Sequence, residues 1–228
     1  MIDLEELRRI ASAPAVDSGP YPRMELWWRL IDACQVKRIA EIGVAKGHFS
    51  AAILERCDSI CQYYMVDPWR HLADWHKPGN LSEEQCEHMH AEAMDRTEPW
   101  ADKRIVLRGT TAEVVDQIPD ETLDLVYVDG DHTLRGITVD LIKCYTKVRP
   151  GGWLTGDDLS PSIWQHSDSY EPTMVFPFAI YFAEAVDERI FALPHNQFVI
   201  EKQTDVGFEL CDLTGSYGDL TLRSQLRR

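Results

Sequence analysis

The chain has 228 residues, enough for one well-packed α/β domain and too few for two full ones. Its formal charge of −15 argues against nucleic-acid and anionic-membrane partners, which demand a basic footprint, while 44% apolar and 27% charged residues describe an ordinary globular protein. There is no apolar run long enough to span a bilayer and no signal peptide, so the cytoplasm is the expected location. Apolar spacing predicts a helix from Ile2 to Ile10, a Pro- and Gly-containing loop from Ala13 to Pro22, and a second helix from Met24 to Cys34. A first strand, Lys37 to Ile42, leads through Gly43 to Gly47 into a helix from His48 to about Arg56. Gln62 to Val66 is a second strand, ended by Asp67-Pro68. A long connection contains a helix from Glu83 to Arg96, capped by Ser82. Ile105 to Leu107 is a third strand, followed by a short helix from Ala112 to Gln117.

The most informative stretch runs from Leu123 to Asp158. Leu123 to Val128 is a β-rich run that stops at Asp129-Gly130-Asp131-His132. Leu134, Ile137, Leu141, Tyr145 and Val148 then recur at helical spacing, until Pro150-Gly151-Gly152 ends the helix. Trp153 to Thr155 is a fifth strand, closed by Asp157-Asp158. Ser160 to Pro172 reads as a loop and Val175 to Val186 as a helix. Arg189 to Leu193 and Gln197 to Glu201 form an antiparallel hairpin at the sheet edge. The tail from Gln203 is weakly patterned and is assigned no element. Repeated strand-helix alternation predicts a doubly wound, mostly parallel, Rossmann-like α/β sheet of seven strands. Residues 36–202 form the core, residues 1–35 pack on it or cover the site, and 203–228 are a tail.

Carboxylates at the C-terminal ends of two neighbouring strands fall on the edge where open parallel sheets bind ligands. Asp129, Asp157 and Asp158 supply hard oxygen donors suited to a divalent cation, and turn capping is the plainer alternative. The first loop, Glu41-Ile-Gly43-Val-Ala45-Lys-Gly47, is a glycine-poor nucleotide-binding turn. Gly43 allows the tight turn and Gly47 a close approach of helix to ligand. The acid before it disfavours a pyrophosphate and suits a ligand bearing an ammonium group. Asp67 stands where an acid grips a ribose diol, and Thr111-Ala112 where an adenine edge would lie. The six cysteines lack disulfide or zinc spacing and are expected as free thiols. His71, His76, His88 and His90 have no convincing ligand spacing and read as part of a lid. Trp69, Trp75 and Trp100 of the same region, with Trp164 and His166 after the fifth strand, are a candidate aromatic substrate wall, and core packing is the equal alternative for each tryptophan.

The motifs EIGVAKG, MVDPW, VDGDH and PGGWLTGDD resemble those of class I S-adenosylmethionine-dependent methyltransferases, over Lys37 to about Lys202. The likeness is strongest to small-molecule O-methyltransferases of the catechol and macrocin or rhamnosyl types. It implies that Glu41 and Gly43 lie against the methionine and sugar portions of the cofactor, that Asp67 holds the ribose, and that Thr111 and Ala112 border the adenine. Gly47 and Asp129 join the same pocket. The family hydroxyl that follows the second loop glycine is replaced by Phe49, with Ser50 next to it as the contact to the cofactor carboxylate. The resemblance also implies magnesium on Asp129, Asp157 and Asp158, holding a substrate hydroxyl beside the sulfonium methyl. His132, where catechol-type enzymes carry a lysine, is the expected base, with Asp131 its rival. The implied activity is methyl transfer to a hydroxyl of a small molecule. A metal-independent N-methyltransferase, a non-catalytic nucleotide-binding module and a nicotinamide oxidoreductase remain the alternatives. The acceptor is not named by the sequence, and a homo-oligomer is left open.

Overall fold

The structure, a computed structural model, describes residues 4–13, 22–203 and 205–218. The start of the first expected helix, most of the loop before Pro22, and the end of the tail lie outside these residues. Helices α1 (Leu4–Ser12) and α2 (Pro22–Ala33) precede β1 (Arg38–Ile42) and α3 (His48–Arg56). Then come β2 (Gln62–Asp67), α4 (Glu83–Arg96), β3 (Arg104–Arg108), the short α5 (Thr111–Val114) and β4 (Leu123–Val128). The chain continues through α6 (Leu134–Lys147), β5 (Val148–Gly156), α7 (Val175–Ala185), β6 (Arg189–Leu193), β7 (Gln197–Glu201) and β8 (Glu209–Asp212).

One sheet holds eight strands in the order β3-β2-β1-β4-β5-β7-β6-β8. The first five are parallel, and β7 pairs antiparallel with both β5 and β6. Strand direction alternates residues between two cores. Ala40, Ile42, Val126 and Val128 face α5, α6 and α7, whereas Ile39, Leu125, Tyr127 and Trp153 face α1 to α4. Strand order reverses between β1 and β4, so their C-terminal ends open the crevice where doubly wound folds bind ligands.

The seven expected strands are all present, and the eighth comes from the tail. β8 pairs parallel with β6, so the β6–β7 hairpin is not the edge of the sheet. Only Cys211 of β8 is buried, which explains why the strand has no visible alternation. The end of α6 also differs from expectation. The residue before a proline is confined to extended backbone, so the helix must stop ahead of Arg149. It stops at Lys147, and Val148 already pairs with Leu123 in β5. Pro150-Gly151-Gly152 therefore lies inside the strand as a bulge, and Trp153 is the next residue to pair, with Leu125. Leu134, placed by periodicity on the buried face of α6, is 52% exposed. The cap of α4 is as read: Ser82 and Gln85 form a reciprocal capping box. All six cysteines are free.

Candidate active site

The loop after β1 crosses the start of the loop after β4. A Cβ on Gly43 would sit 2.2 Å from the Asp129 carbonyl oxygen, and its φ is +89°, so only glycine fits. Asp129 N donates to Ile42 O at 2.7 Å, which locks the two strand ends together. Gly47, at φ +71°, also has a close protein neighbour. The space beside it is taken by Ala93 of α4, so it lets α4 pack on the loop.

Asp67 holds this loop in shape. Its Oδ2 accepts from Val44 N and Ala45 N, both at 2.9 Å, and its Oδ1 accepts from Trp69 N at 2.7 Å. Trp69 closes the arrangement by donating from Nε1 to Ala45 O at 2.8 Å. Thr111 opens α5 nearby, buried, with its hydroxyl bonded to Asp140, while Ala112 is exposed. Burial raises the Asp140 carboxyl to about 7 despite that bond.

Glu41 and Ser50 are not on the loop surface. Glu41 is 1% exposed and lies beneath the loop, where it accepts from Ser50 Oγ and from Tyr63 OH at 2.9 Å. Burial pushes its carboxyl up to about 8, against the opposing pull of those two donors. Ser50 is fully buried. Neither side chain reaches the loop surface, where a cofactor was expected to meet them. β-Strand alternation aims Glu41 at the core shared with α3, and Ser50 comes up from the α3 side to meet it.

The acidic edge is real, but its charges are met from within the protein. Arg23, at the start of α2, places one terminal nitrogen 3.0 Å from Asp129 Oδ2 and the other against Asp157 Oδ2. Asp157 Oδ1 also accepts from Gln197 Nε2 at 2.5 Å. Asp158, at φ +62°, turns the other way and pairs with His132 Nδ1 at 2.5 Å. The three carboxylates therefore do not meet at one point. Among the described residues, no group of three or more His, Cys, Asp or Glu side chains is arranged to hold a metal ion. The expected magnesium site does not fit this donor set, because a guanidinium stands between two of its members and a histidine takes the third.

His132 lies between acids. Its Nε2 is 3.7 Å from Asp129 Oδ1 and is buried without a hydrogen-bond partner. Burial lowers its pKa, but the hydrogen bond and charge of Asp158, with Asp129 behind, win and hold it above its ordinary value. The Asp158 carboxyl is held low by the same contact, which overcomes its own burial. Asp131 is engaged locally. Its Oδ1 accepts from Trp75 Nε1 and Thr133 N, both at 2.9 Å, and its carboxylate fills the space beside Gly136. It shapes the turn into α6.

Two connections close over this edge. His76 N donates to Glu171 Oε2 at 3.1 Å, Arg135 pairs with Glu171 at 2.9 Å, and buried Lys77 donates to Thr173 Oγ1 at 3.0 Å. The four histidines of the second connection are separately engaged: His71 with Leu81 O, His76 with the Tyr170 ring, His88 with Glu92, and His90 with the Trp69 ring. Of the expected aromatic wall, Trp69 and Trp75 are at this edge. Trp100 precedes the start of β3, at the opposite end of the sheet. Sequence reading missed Arg23, Gln197 and Lys77. Only Arg23 left a trace, as a basic residue at the first turn of a helix in an acidic chain.

A family model described as a methyltransferase domain matches residues 40–159. The uncharacterized protein y4gI of Sinorhizobium fredii (strain NBRC 101917 / NGR234) is 24% identical over 174 residues, which are 70% of this chain and 18% of that protein. The chain thus spans under a fifth of the length of that relative. The O-methyltransferase from Bacillus cereus, solved with S-adenosylhomocysteine, superposes with a TM-score of 0.57 at 17% identity, covering 89% of this chain and 92% of that one. TomG of Streptomyces achromogenes, an O-methyltransferase involved in tomaymycin synthesis and solved with S-adenosylmethionine, gives 0.55 at 15% identity, with the same coverage of 89% and 92%. At these identities the likeness is one of fold. The family match spans just over half of the chain and takes in the β1 loop, Asp67, Thr111 and all three acids of the edge, and on it this chain belongs to the methyltransferase domain family.

Proposed function

We propose that this protein transfers a methyl group from S-adenosylmethionine to a hydroxyl of a small molecule, with His132 as the base. The observation that carries this reading is the His132 imidazole. Asp158 holds Nδ1 at 2.5 Å, and Nε2 is buried and unpartnered at the end of β4. A carboxylate on Nδ1 selects the tautomer whose Nε2 carries the lone pair, which is the form that can take a proton. A hydroxyl docked against Nε2 would give up its proton there as its oxygen forms the new bond to carbon. S-adenosylmethionine, when bound, supplies a methyl group on a sulfonium sulfur, which keeps the electron pair of the broken bond and leaves as S-adenosylhomocysteine.

In this reading the cofactor is received by the loop from Gly43 to Gly47, with Asp67 and Ala112. An ionised carboxylate has about four acceptor positions, and three are used at Asp67, so one remains for a ribose hydroxyl. Glu41 and Ser50 support the loop from below. No step runs through magnesium, since the carboxylates that would hold it are engaged by Arg23, His132 and Gln197.

Calorimetric titration with S-adenosylmethionine and with NAD tests the cofactor. Release of S-adenosylhomocysteine over a panel of phenols, sugars and amines tests the acceptor. Saturable binding of S-adenosylmethionine and turnover on hydroxyl compounds are expected. His132→Ala should lower kcat by about 100-fold or more with little change in cofactor affinity. Binding of NAD in place of S-adenosylmethionine, or full turnover by His132→Ala, would overturn the reading.

A further inference from the structure

Arg23 occupies the position between Asp129 and Asp157 that a divalent cation would need. Its placement is built into the fold. Four residues further along the same helix face, Trp27 is completely buried and donates from Nε1 to Gln197 Oε1 at 2.7 Å. Gln197 in turn donates to Asp157 Oδ1 at 2.5 Å and to His195 O at 2.7 Å, and accepts from Tyr127 OH at 2.9 Å. All hydrogen-bonding positions of that amide are filled. The ring Trp27–Gln197–Asp157–Arg23 therefore sets the register of α2 against β5 and β7. The guanidinium reaches its acids because Trp27 cannot slide. Arg23 Nε is also buried, with no partner, so one donor beside the acids is not engaged by protein.

We propose that Arg23 is the resident cation of this site, a positioning residue that takes the place of a metal ion between Asp129 and Asp157. Two consequences follow from charge and space. The intact protein has little affinity for divalent cations at this edge, because an ion there would need to displace a guanidinium already bonded to both carboxylates. Removing the guanidinium leaves two facing carboxylates without a cation, which is the donor chemistry a hard ion takes. The activity arm of the test rests on the function proposed above; the metal-binding arm does not.

Manganese is the probe, followed by the electron paramagnetic resonance signal of the free ion, with the full-length protein in its wild-type, Arg23→Ala and Arg23→Lys forms. Wild type and Arg23→Lys are expected to leave the signal of about 0.1 mM manganese unchanged, while Arg23→Ala binds at least about 10-fold more tightly and loses that gain when Asp157→Asn is added. In the methyl-transfer assay, wild type should be indifferent to a chelator. Arg23→Ala should lose about 10-fold or more in kcat and recover part of it with manganese. Tight manganese binding by wild type overturns the proposal, and this holds even if Arg23→Ala fails to fold. A folded Arg23→Ala that binds no better than wild type overturns it equally. Loss of methyl transfer in every form, with the manganese pattern as stated, would instead count against the proposed reaction and leave the role of Arg23 standing.

Discussion

Gln197 joins Trp27 to Asp157: its amide oxygen accepts from Trp27 Nε1 at 2.7 Å and its amide nitrogen donates to Asp157 Oδ1 at 2.5 Å. One buried side chain on β7 thus ties the helix that carries Arg23 to the acid that Arg23 meets. Tyr127, on the neighbouring face of β4, donates to the same amide oxygen and stacks on Phe49 with ring centroids 4.1 Å apart.

Gln197→Leu keeps the volume and removes every polar contact of this amide. It strands the Trp27 N–H and the Tyr127 hydroxyl in the core, each at a cost of about 1–3 kcal/mol. Urea unfolding should show a loss of about 3 kcal/mol, with Tyr127→Phe costing about 1 kcal/mol. A Gln197→Leu protein as stable as wild type would show that the ring does not hold α2.

Gly43→Ala should be among the most damaging single methyl additions. Its Cβ would fall 2.2 Å from a backbone oxygen, and the backbone there has φ +89°. Neither strain can be relieved by a side-chain rotation, so a loss of about 2–4 kcal/mol is expected, with cofactor affinity falling alongside. Thermal melting with and without S-adenosylmethionine reads both. An unchanged melting temperature contradicts the crossing of the two loops.

Glu41 makes stability depend on pH. Its carboxyl is raised from 4.5 to about 8 in the fold, so between these values the native state binds more protons than the unfolded chain. Its contribution is complete below about 4.5 and is lost as pH rises through about 8. The melting temperature of wild type should therefore fall relative to that of Glu41→Gln across this window. A gap that widens in favour of wild type at alkaline pH has the wrong sign and refutes the burial argument.

The His132 imidazole is held above its ordinary value chiefly by Asp158, against its own burial. Its proton must leave before it can act as a base, so kcat/KM should rise with pH along a limb lying above 6.5. Asp158→Asn removes the anion and should move that limb to lower pH, and a proton NMR titration of the imidazole should move with it. A limb that stays in place would separate His132 from the proton transfer.

The strands were legible because their residues follow the period-2 and apolar-run patterns that pairing requires. The same patterns located Asp67, Asp129, Asp157 and Asp158, since each acid sits where an apolar strand ends. The boundaries that failed have local causes. Val148 fits the helical period, yet the restriction imposed by Pro150 on Arg149 gives it to β5. The β8 strand buries one side chain and so shows no period at all.

The site was less legible than the fold, and the residues show why. Glu41 and Ser50 stand in the loop motif and its helix, but their side chains meet under the loop. Where a motif side chain points depends on what comes up beneath it, and here Ser50 and Tyr63 meet Glu41. By itself the sequence determined the strand order of chemistry: a glycine turn, an acid after β2, and acids after β4 and β5, because strand ends and turn residues are local properties. Only the tertiary structure decided what those acids do. Arg23, Gln197 and His132 reach them from α2, β7 and the turn before α6, and charge pairing across such distances in sequence is settled by packing, which no local pattern encodes.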